Sequence, residues 1–75
     1  MISLERKVEL VEIILDQKKN NNILLDCFSK EDMIYIRSCK EDAVSKSSFN
    51  YFINLLKELK IELRKQRLEK IMNSI

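Results

Sequence analysis

The chain has 75 residues and a formal net charge of +2, with no glycine, proline, histidine or tryptophan, while 45% of its residues are hydrophobic and 35% are charged. Phosphate loops and dinucleotide fingerprints need glycine, and histidine triads and zinc sites need histidine, so composition alone removes the commonest catalytic and cofactor chemistries. A 9.0 kDa chain buries only roughly 63% of its unfolded surface, which leads us to expect a single helical domain supported by self-association.

A first helix is predicted over about 4–19. Ser3 can accept a hydrogen bond from an orphan backbone N–H. Leu4, Val8, Val11 and Leu15 form a 4-3-4 seam, and Leu10, Ile13 and Ile14 widen it enough to need more than one neighbour. Lys18 and Lys19 suit the negative end of the helix dipole, and Asn20–Asn22 ends the helix because asparagine tolerates a left-handed cap. The apolar run over about 23–28 predicts a short helical turn. Ser29-Lys30-Glu31-Asp32 resembles a capping box, so a second helix is expected over about 30–43, burying Met33, Ile36, Cys39 and Ala43. The break at Ser45–Ser48 is rich in residues that cap and turn. From about 49 to 72 nothing interrupts a run of good helix formers, and a helix of that length spans roughly 36 Å. A compact domain of this size is only about 30 Å across, so the last helix should overhang. The expected fold class is all-α: a small bundle of three main helices with one extra turn.

The last helix carries two apolar sets. Phe49, Phe52, Leu56, Leu59 and Leu63 make a seam that fails at Gln66 and Lys70. Leu68, Ile71, Met72 and Ile75 then reappear about 130° around the helix. Two stripes at different azimuths call for two partners, so these four residues are the expected protein interface, on a second subunit or another protein, in the manner of an amphipathic helix laid in a groove. Charge is sorted as well. Lys57, Lys60, Arg64 and Arg67 form a basic stripe with Lys65 and Lys70 nearby, and Glu5, Glu9, Glu12 and Asp16 form an acidic one on the first helix. Such stripes set register and partner choice more than affinity.

These features predict a non-catalytic regulatory module, coiled-coil-like and homodimeric, that binds a protein partner stoichiometrically. The alternative is a small DNA- or RNA-binding regulator using Lys57, Lys60, Arg64, Lys65, Arg67 and Lys70, although the overall charge falls short of a strongly basic footprint. Cys27 and Cys39 have no histidine to activate them and no CxxC spacing. They are expected to be reduced and half-buried, with no cofactor, metal or small-molecule substrate. No run approaches the roughly 18 apolar residues of a membrane span, so a cytoplasmic chain without membrane contact is expected. The richness in Lys, Asn and Ile suits an AT-rich genome, and the size suits a phage or mobile-element regulator.

Overall fold

Ser3 and the asparagine run bound the first helix by two different devices. The Ser3 hydroxyl accepts the Arg6 N–H at 3.1 Å, starting α1 (Leu4–Lys19). At the other end Asn21 takes a φ of 54°, the left-handed position usually given to glycine. The Asn22 N–H then reaches the Gln17 carbonyl and the Asn21 N–H the Lys18 carbonyl, the paired closure that satisfies the last carbonyls of a helix. Gln17 also holds the next segment, its side chain accepting the Leu24 N–H at 3.1 Å and donating to the Leu24 carbonyl at 3.2 Å. The expected turn follows as a 3-10 turn, Leu25–Cys27.

The computed structural model describes residues 2–73. Its helices are α1, α2 (Lys30–Ser38) and α3 (Phe49–Asn73), with a second 3-10 turn at Lys46–Ser48 leading into α3. The fold is all-α, and no strand occurs among the described residues.

The capping box that starts α2 is complete. The Ser29 hydroxyl accepts the Asp32 N–H at 3.2 Å, and the Asp32 carboxylate accepts the Ser29 N–H at 3.1 Å. Asp32 is also gripped by Arg6 of α1 through two parallel bonds of 3.2 and 2.8 Å, the fork geometry that fixes a carboxylate most firmly. Ser29→Ala removes one half of the box and should cost about 1 kcal/mol, which thermal melting should record as a Tm lower by roughly 4–8 °C.

α2 stops at Ser38, five residues short of the predicted Ala43. Local competition for backbone groups ends it. The Ser38 hydroxyl donates to the Tyr35 carbonyl at 2.6 Å, and the Cys39 N–H takes the Ile36 carbonyl. A continued helix would use that Ile36 carbonyl for the Lys40 N–H, which instead donates to the Tyr51 hydroxyl at 3.2 Å. Cys39 is extended, and an Asp42 side chain accepting the Val44 N–H turns the chain back. Ile36 and Ala43 are buried as expected, whereas Met33 and Cys39 are only half-buried and Cys27 is exposed.

Lys18 of α1 sits over the Phe52 ring, and Val8 lines a groove with Leu63, so α1 and α3 run antiparallel. The core lies between them: Leu10, Val11, Ile14, Phe28, Ile36, Ala43 and Phe52. α1 buries a wide arc because its side chains share one core with Phe52 of α3 and with Phe28, Ile36 and Ala43. Lys18 closes the far end by donating to the Ser45 carbonyl. Its ammonium is held below the usual lysine range by burial, with Asp42 opposing the shift.

The molecule measures 46 × 25 × 20 Å, with a radius of gyration of 13.7 Å, against about 11 Å for a compact chain of this length. Its accessible surface of 5846 Å² exceeds the roughly 4,900 Å² of a compact protein of this mass. Both excesses come from α3, which continues past the start of α1.

Candidate interaction surface on the last helix

α3 changes sides along its length. Along its inner face Phe52 is fully buried, Leu55, Leu56 and Leu59 pack half-buried against the core, and Leu63 is half-buried beside Val8. Beyond Leu63 the same azimuth carries Gln66 and Lys70, both exposed. The antiparallel pairing brings the first turn of α1 level with Arg67, so the following turns of α3 extend past the other described helices.

Of the predicted interface residues, Leu68, Ile71 and Met72 are 54%, 58% and 73% exposed. Ile75 lies outside the described residues. One residue escaped the sequence reading: Ile61, 57% exposed. With Leu68 and Met72 it forms a 7-4 series whose azimuth is about 180° from the Phe52–Leu63 seam at 100° per residue. These three aliphatic side chains therefore occupy the back of α3, turned away from the bundle. The 61-68-72 spacing was the available signal. It was hidden because Ile61 stands among charged residues and off the seam of larger side chains.

The basic residues Lys57, Lys60, Arg64, Lys65, Arg67 and Lys70 are all exposed. Lys60, Arg64 and Arg67 line a groove of about 360 Å³ with Val8, Leu63 and Glu12 of α1. Glu12 thus brings one carboxylate of the acidic stripe to three cations of the basic one. The ion pairs among the described residues are Arg6–Glu9 at 2.9 Å and Arg6–Asp32 at 2.8 Å, so the charges of α3 form no ion pair with another described residue.

Burial favours the neutral forms of Cys39 and Tyr35. Burial pushes the Cys39 thiol up, with the Tyr51 hydroxyl opposing, and burial pushes Tyr35 up to about 12. No three Cys, Asp or Glu side chains among the described residues gather into a set that could hold a metal ion. No described helix is long and apolar enough to cross a membrane.

The chain matches no protein-family model, and comparison with curated proteins and with solved structures found no match either.

Proposed function

We propose that this chain is a non-catalytic helical module of the cytoplasm that acts by stoichiometric binding to protein, through the distal half of α3. One observation carries the reading. Ile61, Leu68 and Met72 stand exposed in one line on the face of α3 opposite its packed seam. Exposed aliphatic side chains scattered singly need no explanation, but a helical line of them that runs out onto an overhanging end is the pattern of a helix that docks. Self-association belongs to the same reading, since the small core gains from a second subunit.

The basic stripe favours nucleic acid less. Glu12 shares the groove of Lys60, Arg64 and Arg67, and a carboxylate there repels the phosphates the cations would attract.

Leu68→Lys combined with Met72→Lys tests the reading. Both positions are exposed, so helical content by circular dichroism should be unchanged. Tagged wild-type and variant chains are used for affinity capture from the native cell, with protein and nucleic acid scored separately. The expected result is that protein partners held by the wild type are lost from the variant. Identical capture by both chains would remove the distal face as the site, and capture of nucleic acid alone would replace the reading with the nucleic-acid one.

A further inference from the structure

The charges beside the exposed line choose its occupant. In heptad terms, placing Ile61 and Leu68 at d puts Glu58, Lys65 and Met72 at a. The packed residues Phe52, Leu56, Leu59 and Leu63 then fall at b and f, on the opposite side. Apolar character crosses from b and f to a and d between Leu59 and Leu68. By sequence register Ile75, outside the described residues, falls at d. Glu62 and Glu69 occupy e, while Lys57 and Arg64 occupy g. One flank of the line is acidic and the other basic.

Within a single helix this sorting is unfavourable. Lys57, Lys60, Arg64 and Arg67 repeat at spacing 3-4-3, and Glu58 and Glu62 are four apart, so like charges are neighbours on the helix surface more often than the opposite pairs Glu62–Lys65 and Lys65–Glu69. The arrangement becomes favourable against a second helix with the same pattern running in the same direction. In a parallel pair, a g residue meets the e residue five positions later on the facing helix. Lys57 then meets Glu62 of the partner subunit and Arg64 meets Glu69 of the partner subunit, each pair twice by symmetry. In an antiparallel pair g meets g and e meets e, which would set lysine and arginine against each other and glutamate against glutamate.

The geometry points to a second copy of this chain as the occupant of distal α3, in a parallel, in-register two-stranded coil over Lys57–Met72. This rests on distal α3 being the binding surface. Glu58 and Lys65 at a each face their own copy in this register, which weakens the coil and leaves Ile61, Leu68 and Met72 as its apolar contacts. A polar residue at a selects register and a two-stranded state at such a loss of stability. The coil is short and its core small, so association belongs in the micromolar-to-millimolar range.

Sedimentation equilibrium over that range tests the assignment, with cysteine pairing to report direction. The wild type should reach twice the 9.0 kDa chain mass. In a Cys27→Ser, Cys39→Ala background whose helicity matches the wild type, Ile61→Cys and Leu68→Cys should each oxidise to a disulfide-linked dimer, and Asn20→Cys should not. Glu62→Lys with Glu69→Lys should lose the dimer, as should Lys57→Glu with Arg64→Glu, and mixing these two variants should restore the doubled mass. A wild type that stays at monomer mass throughout overturns the second-copy assignment and leaves the distal surface to its capture experiment. A dimer that neither cysteine captures, or that both charge variants preserve, overturns the parallel register. A dimer undiminished by Leu68→Lys overturns both the register and the distal surface as a binding site.

Discussion

Phe52→Ala should remove most of the stability of the fold. The ring is fully buried at the centre of the core, meets Tyr51 edge-on at 5.1 Å, and lies under the Lys18 ammonium at 5.5 Å. Truncating a buried phenylalanine typically costs about 3–5 kcal/mol, from lost transfer energy and the cavity left behind. A 75-residue domain has in total about 4–11 kcal/mol. The buried side chains described form one core around this ring, so the variant should be partly unfolded at 25 °C or melt roughly 15–25 °C lower. The check is chemical denaturation followed by circular dichroism, with Ile34→Ala as the control. Ile34 is 62% exposed and should change stability by no more than about 0.5 kcal/mol. A Phe52→Ala protein as stable as the Ile34→Ala control would place the core elsewhere.

Stability should also fall on the acid side, and Asp32 should set where. Its carboxyl is held at about 2 against an ordinary 3.8, first by the Arg6 hydrogen bonds and then by the Ser29 backbone and hydroxyl, with burial opposing. A carboxylate whose pKa is lowered by folding stabilises the folded state fully above the ordinary value, and that contribution disappears as pH falls through the lowered one. Thermal melts should therefore lose Tm between about pH 4 and pH 2. Asp32→Asn keeps an oxygen for the Ser29 N–H but loses the charge, so its Tm should start lower and vary less across that window. Asp32→Ala loses the cap as well and should be the least stable of the set. Arg6→Ala leaves a buried carboxylate without its cation, which should move the acid loss to higher pH. A wild-type Tm that does not change across the window would remove the clamp from the stability of the fold.

The parts of this architecture that were legible in sequence are those written in neighbouring residues. Ser3 and Asn20–Asn22 bound α1 through contacts three to five residues long, and the absence of any breaker after Phe49 made α3 readable at both ends. The end of α2 was not readable for a periodic reason. Ile36 and Ala43 are seven apart, so they share a face whether the chain continues as a helix or loops back to bury Ala43, and the contact that takes the Lys40 N–H out of the helix comes from Tyr51, eleven residues away. The Arg6–Asp32 clamp joins positions 26 residues apart. In sequence, Asp32 could be recognised as a cap and Arg6 only as one more surface cation. On α3 the second apolar set was visible because Gln66 and Lys70 interrupt the first. Its true azimuth needed Ile61, which a seam traced through the larger side chains does not include.

The unbroken run of α3 from buried Phe52 to exposed Met72 joins two free energies that separate domains would keep apart. Whatever grips the outer turns must hold them helical, and that helix is the same one that closes the core. Occupation therefore acts on the folding equilibrium as a ligand that recognises only the native state. It adds RT ln(1 + [L]/Kd), about 2.7 kcal/mol at a hundredfold excess over Kd. For a domain with so small a core this is a large share of the total. On the proposed reading, persistence in the cell would follow the abundance of the partner, with the chain kept where it is bound and open to proteolysis where it is not.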